Sequence, residues 1–226
     1  MCSDSTTVLT LSRRCKLNSS VEHRTVRFVF LGAAGVGKTA LITRFLQDRF
    51  DSKYTRTVEE LHALEYDTDG ARVRIEILDT SGSYSFPAMR ALCIRTGDAF
   101  ALVYAADEPD SLEEVQRLRE EILELKGEKF TGITVIENKA DLGNRSRQAT
   151  AEVMRAVEED WGAGFVETSA LTSENVTGVF RDLLQQVKLP SRVSPALRRR
   201  TQTMTRELTE TRKKPSMKKN NSCILS

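Results

Sequence analysis

The chain has 226 residues, of which 39% are hydrophobic and 29% are charged, so it is long enough for one domain of ordinary size with tails. No apolar run approaches the roughly 18 residues that span a bilayer, which argues against a transmembrane protein. The formal net charge of +2 hides an asymmetry, because residues 189–226 carry a net +8 and residues 1–188 therefore −6. A basic end of this kind attracts nucleic acid or an anionic membrane surface, and composition alone does not choose between them.

The N-terminus has neither the basic start nor the apolar block of a secretion signal, so the protein is expected in the cytosol. The four cysteines are widely spread and include no C-x-x-C pair, so neither a disulfide framework nor a zinc site is expected. Residues 1–24 are rich in Ser, Thr and Arg without sustained periodicity, which predicts a flexible N-terminal extension.

The remaining chain alternates strand and helix patterns. Apolar runs predict buried strands at residues 26–31, 100–105, 133–136 and 165–168, and helical spacing predicts helices after residue 38 and near 110–126, 148–161 and 174–188. The Asp-Gly pair at residues 69–70 predicts an antiparallel hairpin of strands 60–66 and 73–78. This order predicts an α/β domain at residues 25–188, with a mainly parallel six-stranded sheet, one antiparallel edge hairpin and helices on both faces.

The loop after the first predicted strand matches the phosphate-binding pattern G-x-x-x-x-G-K-[ST]. Glycines let its backbone N–H groups turn toward an anion at the positive end of the following helix. Lys38 is predicted to reach the β- and γ-phosphates, and the Thr39 hydroxyl suits Mg²⁺, which prefers oxygen ligands. An ordinary glycine-rich turn is the alternative, which the preceding strand disfavours. The predicted nucleotide-binding residues of this P-loop NTPase are Gly32, Ala33, Ala34, Gly35, Val36, Gly37, Lys38, Thr39 and Ala40.

Residues 138–141, with the sequence Asn-Lys-Ala-Asp, indicate guanine as the base. Asp141 can accept hydrogen bonds from both the N1–H and the exocyclic amine of guanine, a donor pair that adenine lacks. Alone this pattern is weak, because an Asn-Asp loop turn looks the same. An ATP-using kinase is an alternative interpretation, because it has the same phosphate loop. Asn138 and Asp141 would have no role in such an enzyme, which disfavours it. The predicted base-binding residues of this segment are Asn138, Lys139 and Asp141.

Two further motifs end predicted strands. At residues 79–82, Asp79 can hold Mg²⁺ through water, and the Gly82 N–H can face the γ-phosphate. At residues 168–170, the backbone N–H groups of Ser169 and Ala170 can meet the guanine oxygen. Together with the two earlier motifs, and in this order, these sequences resemble the Ras family of small GTPases over residues 25–188. The sequences at residues 57–61 and 79–84 are similar to the Ras-dva branch of that family.

The resemblance implies the roles of several other residues. Thr57 matches the threonine that binds Mg²⁺ and senses the γ-phosphate, with Thr39 and, through water, Asp79 as the other metal-binding residues. Phe50 matches an aromatic residue that packs against guanine. A core aromatic is the alternative for Phe50, and an unremarkable loop threonine is the alternative for Thr57. Residues 83–97 match the second switch. The residues implied to face effectors are Tyr54, Thr55, Arg56, Thr57, Val58, Glu59 and Glu60.

The residues that the resemblance implies in hydrolysis are Lys38, Thr57, Gly82 and Ser83. Ser83 stands where the family usually has a Gln that orients the attacking water, and its short hydroxyl cannot easily reach both that water and the γ-phosphate. Ala34 stands where many members have Gly, and its methyl group points toward the space used by that Gln. We expect slow GTP hydrolysis; the alternatives are negligible hydrolysis in a GTP-loaded recruitment module, or replacement of the Gln by Tyr84 or a partner side chain. Leu171 replaces a usual Lys, with a small expected effect.

The chain ends in Cys-Ile-Leu-Ser, a C-a-a-X box whose final Ser favours farnesylation of Cys223 by a prenyltransferase. One prenyl chain binds reversibly, and the basic tail at residues 189–226 adds the attraction to an anionic leaflet that stable anchoring needs. A nuclear or nucleic-acid signal is the alternative for the basic residues, and the adjoining box disfavours it. We therefore expect a lipid-anchored monomer at the cytoplasmic face of the plasma membrane. Its expected ligands and partners are GTP or GDP, Mg²⁺, effectors, an exchange factor and a GTPase-activating protein.

Overall fold

The computed structural model describes residues 24–53, 55–68, 71–82, 87–142 and 147–189. Its strands are β1 (Arg24–Leu31), β2 (Glu59–Thr68), β3 (Ala71–Thr80), β4 (Ala99–Ala105), β5 (Ile133–Asn138) and β6 (Gly164–Glu167). Its α-helices are α1 (Lys38–Gln47), α2 (Pro87–Thr96), α3 (Asp110–Lys126), α4 (Arg147–Arg155) and α5 (Val176–Gln186). The expected N-terminal extension and basic tail lie outside the described residues, apart from Arg24 and Leu189.

The strands form one sheet in the order β2-β3-β1-β4-β5-β6. All neighbouring strands are parallel except β2 and β3, which are antiparallel. Thr68 pairs with Ala71, so residues 69 and 70 make the connection, where the Asp-Gly turn is predicted. Parallel neighbours need longer crossovers, which the helices supply. The predicted six-stranded, mainly parallel sheet with one antiparallel edge hairpin is confirmed.

Alternate residues of β1 enter two separate hydrophobic cores. Phe28 and Phe30 pack on one side of the sheet with α1 and α5, and Val29 and Leu31 pack on the other side with α2 and α3. Every residue of β4 and β5 is buried, as expected for parallel strands that are covered on both faces. The prediction of helices on both faces is therefore confirmed.

The predicted helix at residues 148–161 is interrupted. Helix α4 ends at Arg155, and residues 156–160 form a π-helical turn that closes with a hydrogen bond from the Trp161 N–H to the Ala156 carbonyl. Such a turn accommodates one extra residue. Val157 is thereby buried in the core, and the Trp161 ring lies 4.8 Å from the guanidinium carbon of Arg119.

Two other elements differ from the sequence prediction. Helix α5 begins at Val176 rather than at residue 174, because Asn175 has a left-handed backbone with φ of 51° and its side chain donates to the Glu167 carbonyl. Helix α2, which buries Cys93 and Ile94, lies within the expected second switch and has no counterpart among the predicted helices.

The parallel strands end at one edge of the sheet, so the loops after β1, β3, β5 and β6 meet there. These loops carry the predicted phosphate-, metal- and base-binding residues. Within the described part of the chain, no helix is long and apolar enough to cross a membrane.

Candidate functional site

The loop between β1 and α1 contains a glycine where a side chain does not fit. Gly37, the residue before α1, has a left-handed backbone with φ of 97°. A Cβ at this position would collide with the side-chain amide of Asn138. Because α1 begins at Lys38, the loop lies at the positive end of the helix, where unpaired N–H groups favour an anion.

Lys38 is a buried cation with unused donor capacity. Its Nζ donates to the carbonyl oxygens of Gly32 and Ala33, both at 2.8 Å, and an ammonium has three donors. Burial lowers the pKa of Lys38 to about 8, and the nearby Asp79 carboxylate opposes this shift. An anion in the loop would complete the hydrogen bonding of this side chain and favour its charged form.

Asp79 is fully buried at the end of β3, and neither carboxylate oxygen has a hydrogen-bond partner among the described residues. Burial raises the pKa of Asp79, while the Thr39 hydroxyl and the Lys38 charge oppose the shift. The hydroxyl oxygens of Thr39 and Thr57 lie 2.7 Å apart. A buried carboxylate without a partner, beside two hydroxyl groups, fits a hard cation that prefers oxygen ligands, and these residues would hold Mg²⁺.

A cavity of about 690 Å³ opens in front of these groups, a volume typical of small-molecule sites. Its walls come from the phosphate loop and the start of α1, from residues 50–53 and 55–57, and from residues 80–82. Phe50 lines the cavity and also packs against the core on the α1 side. The ring thus faces both the cavity and the core, so its contact with guanine stays a prediction.

Asn138 joins the phosphate loop to the loop that follows β6. Its Nδ2 donates to the Val36 carbonyl at 2.8 Å. Its Oδ1 accepts hydrogen bonds from the Ala170 N–H at 3.1 Å and from the Thr168 hydroxyl at 3.3 Å. The buried asparagine therefore supports two loops through their backbone and side-chain groups.

Asp141 has an exposed side chain that accepts a hydrogen bond from the Ser169 hydroxyl. The two backbone N–H groups predicted to meet guanine have partners within the protein, since Ser169 donates to the Glu174 carbonyl and Ala170 donates to Asn138. Contact of Ala170 with the base would require its N–H to share or exchange that bond. The base contacts of Asp141, Ser169 and Ala170 stay predictions.

The structure adds acidic partners for Lys139 that the sequence analysis missed. Lys139 has a left-handed backbone with φ of 66°, and its Nζ lies 3.1 Å from Asp107 and 3.5 Å from Glu108. Both acidic residues follow β4 at the edge of the sheet that carries the other motifs. Their position directly after a buried strand is a signal from which they could have been found.

A second missed residue, Glu137, immediately precedes Asn138. It is buried, accepts a hydrogen bond from the Tyr104 hydroxyl at 2.8 Å, and accepts one from Thr150 of α4 at 3.2 Å. Its carbonyl accepts from the Thr168 N–H at 2.7 Å. An acidic residue in an otherwise apolar strand pattern is a signal of such a satisfied buried network.

The residues predicted for hydrolysis are only partly within the described chain. Gly82 lies against the phosphate loop so closely that a Cβ there would collide with the backbone of Ala34. Lys38 and Thr57 line the same cavity as Gly82 and Ala34. Ser83, the effector residue Tyr54 and the lipidation residue Cys223 lie outside the described residues. Of the other predicted effector residues, those at positions 55–57 line the cavity, Val58 is largely exposed, and Glu59 and Glu60 begin β2.

Comparison with known proteins agrees with these motifs. A family model described as the Ras family matches residues 27–189. The GTP-binding protein Rhes of Homo sapiens is 39% identical over 198 residues, which cover 84% of this chain and 74% of that protein. The GTP-binding proteins Rhes of Mus musculus and Rattus norvegicus are each 39% identical over 195 residues, which cover 82% of this chain and 73% of theirs.

The lowered pKa of Lys38 predicts that nucleotide binding takes up protons. At pH 8 about half of the Lys38 side chains are neutral, and phosphate would raise their pKa toward or above the ordinary value. We therefore expect uptake of about half a proton per GDP at pH 8 and weaker binding as the pH rises further. Calorimetry in two buffers with different ionisation enthalpies measures the proton number.

The matched control for this experiment is Lys38→Arg, because a guanidinium remains protonated throughout this pH range. The Lys38→Arg variant should take up no proton when it binds GDP, even if its affinity for GDP differs from that of the wild type. Equal proton uptake by the two proteins would assign the proton to another group.

Because the Asp79 carboxylate is buried without a partner, we expect Asp79→Asn to make the protein without nucleotide and cation more stable and to weaken its binding of Mg²⁺. In EDTA without nucleotide, the unfolding temperature should rise by about 2–4 °C for each kcal/mol of relieved charge burial. The extra stabilisation that Mg²⁺ gives to the GDP complex should be lost. Both quantities are measured by differential scanning fluorimetry.

Asp182→Asn is the control, since Asp182 accepts a hydrogen bond from Thr134 at 2.6 Å. That variant should lose stability and keep the response to Mg²⁺. A clear fall in the unfolding temperature of Asp79→Asn in EDTA would mean that the native carboxylate is already well satisfied.

Proposed function

The chain belongs to the Ras family of small GTPases and is itself a GTPase, and from this premise we propose that it is a membrane-anchored, Mg²⁺-dependent switch. In this proposal it hydrolyses GTP slowly and recruits effector proteins while GTP is bound. The observation that carries the proposal is the meeting of Lys38 and the Thr39–Thr57 pair at one cavity, with the unpartnered Asp79 carboxylate buried beside them. Each of these groups lacks a complement that a nucleotide with Mg²⁺ would supply.

Each of these residues has a role that follows from its position. Lys38 binds the β- and γ-phosphates from within the loop and offsets their charge. Mg²⁺ would supply positive charge that offsets the charge on the phosphate oxygens. Thr39 and Thr57 would hold the ion through their hydroxyl oxygens, and Asp79 would hold it through water. Because Thr57 belongs to the segment at residues 55–60, the loss of the γ-phosphate would release that segment.

The exposed apolar side chains beside this segment support effector binding. Val58 is 88% exposed and Leu61 is 51% exposed, and both adjoin or belong to the edge strand β2. On α2, Met89 and Leu92 are also exposed. A sheet edge with exposed apolar residues is a surface that another protein can cover. We propose that effectors bind there in the GTP state, and that an exchange factor and a GTPase-activating protein act on the same switch.

Slow hydrolysis rests on Ser83 and on Ala34. Ser83 follows Gly82, whose backbone lies against Ala34 at the cavity wall. Ser83 stands where the family usually has Gln, and serine lacks the length to orient water as Gln does. The second candidate function is a GTP-loaded recruitment module with negligible hydrolysis. The presence of both Ser83 and Ala34 in one chain favours this second function.

The anchor rests on the sequence of the tail. A prenyl group on Cys223 gives reversible membrane binding, and the net charge of +8 at residues 189–226 adds attraction to anionic lipid. The expected location is the cytoplasmic face of the plasma membrane. The protein is proposed to act there as a monomer without nucleic acid.

Single-turnover hydrolysis of γ-labelled GTP tests the proposed mechanism. The wild type should turn over slowly, and Ser83→Gln should be faster by at least about tenfold, because positioning supplies much of the rate. Ser85→Gln, the same substitution two residues later, should keep the wild-type rate. Hydrolysis by the wild type as fast as by Ser83→Gln would contradict slow turnover. No detectable wild-type hydrolysis, with GTP still bound, would favour the recruitment module.

Vesicle sedimentation of the farnesylated full-length protein tests the anchor. The wild type should sediment with vesicles that contain phosphatidylserine, and Cys223→Ser should stay in the supernatant because it cannot be prenylated. Replacement of the five basic residues at 212–214 and 218–219 with Gln should weaken binding to these vesicles, at about 1 kcal/mol per charge, and leave binding to neutral vesicles unchanged. Equal sedimentation of Cys223→Ser and wild type would contradict the lipid anchor.

A further inference from the structure

One guanidinium group connects α1 to the loop that follows β6. Arg44 lies on α1, and its side chain is only 15% exposed. Its Nε donates to the Ala170 carbonyl at 2.9 Å, and its Nη2 donates to the Leu171 carbonyl at 2.8 Å. Two donors of one planar group therefore hold two consecutive carbonyls, which the single ammonium of a lysine cannot reproduce.

The loop that Arg44 holds carries two of the groups predicted to recognise guanine. The Ser169 hydroxyl donates to Asp141, and the Ala170 N–H donates to Asn138. The Arg44 hydrogen bonds fix the peptide planes that follow Ala170 and Leu171. The position of the loop relative to Asp141 therefore depends on this guanidinium.

The same side chain also contacts the opposite wall of the site. Its Nη1 donates to the carbonyl of Asp48, which ends α1 with a left-handed backbone at φ of 53°. The guanidinium carbon lies 5.9 Å from the centre of the Phe50 ring, and Phe50 lines the cavity. One planar cation thus sets the spacing between this aromatic ring and the loop after β6.

We propose that Arg44 is a positioning residue for guanine recognition, which holds Asp141, through Ser169 and Ala170, in the orientation that accepts both donors of the base. The proposal rests on guanine-nucleotide binding at the site described above. Loss of the paired hydrogen bonds should shorten the residence of guanine nucleotides and weaken base discrimination. The side chain at position 171 offers no substitute, because Leu171 is apolar and points partly to solvent, with 51% exposure.

A purely structural role for Arg44 has different consequences. A cation in the last turn of α1 stabilises the helix end and satisfies the Asp48 carbonyl, and this contribution is independent of the base. The two roles separate when two bases that differ in one donor are compared. Inosine has the N1–H of guanine but lacks the exocyclic amine, so Asp141 can accept only one hydrogen bond from it.

The test measures the dissociation of radiolabelled GDP and IDP from the full-length wild type and from Arg44→Lys. This variant keeps the charge and loses the planar pair of donors. GDP should dissociate about tenfold faster from it, the equivalent of one hydrogen bond from a charged donor. IDP dissociation should change by less than about threefold, so the preference for GDP narrows. Arg49→Lys, at an exposed arginine paired with Asp51, is the matched control and should leave both rates unchanged.

Equal acceleration of both nucleotides overturns the proposal, as does unchanged dissociation of both. A lower unfolding temperature with an unchanged ratio of GDP to IDP rates also overturns it. If circular dichroism finds Arg44→Lys unfolded, Arg44→Gln, whose shorter and uncharged side chain lacks the forked Nε and Nη2 donors, provides the same comparison. Failure of the wild type to retain GDP would overturn the proposed function itself, so the two failures are distinguishable.

Discussion

Two opposite charges, one buried at the start of α1 and one near the end of β3, lack a full set of partners, and they are the constraint around which this site is built. Lys38 and Asp79 are brought together because β1 and β3 are parallel neighbours, and Asp79 has no hydrogen-bond partner among the described residues, Lys38 included. Burial lowers the pKa of the lysine and raises that of the aspartate. A phosphate would complete the first group and a hard cation the second, so ligand binding and the stability of this edge are coupled.

The groups predicted to recognise the base depend on the same edge through Asn138. Its amide nitrogen bonds the phosphate loop, and its amide oxygen bonds the loop after β6. The residue before it, Glu137, is fixed by the Tyr104 hydroxyl within the sheet. The groups predicted to bind phosphate and base therefore belong to one hydrogen-bonded unit, in which a displacement of either loop would change the geometry of the other. Arg44 extends this unit to α1, which begins directly after the phosphate loop.

The sequence predicted the elements whose pattern is local and left out those that depend on tertiary contacts. The apolar run ending at Leu31 and the following glycines identify a buried strand and an anion loop without further information. Helix α2 is signalled only by Pro87 at its first position, because few of its side chains are buried. Arg44 resembles any polar residue of a surface helix, and its role depends on carbonyls 126 and 127 residues away. The engagement of the Ala170 N–H by Asn138 is likewise a contact between distant segments.

Nucleotide binding and GTP hydrolysis depend on different residues of this chain. The departures from the family pattern at Ser83 and Ala34 concern the residues linked to hydrolysis. Lys38, Thr39 and Asp79 keep the residue types suited to phosphate and Mg²⁺, whereas Ser83 and Ala34 depart from the family pattern at two positions that the resemblance links to orienting the attacking water. A switch needs to sense the γ-phosphate, the role that the family resemblance implies for Thr57, whose hydroxyl oxygen lies 2.7 Å from that of Thr39. It does not need to remove the phosphate quickly. The share of protein in the GTP state depends on the ratio of GDP release to GTP hydrolysis, so slow hydrolysis lengthens the GTP state, and the time for which GDP stays bound sets the delay before reloading. Residues predicted or proposed to hold the nucleotide, Asn138 and Arg44 among them, would therefore affect this share together with those predicted to act on the attacking water.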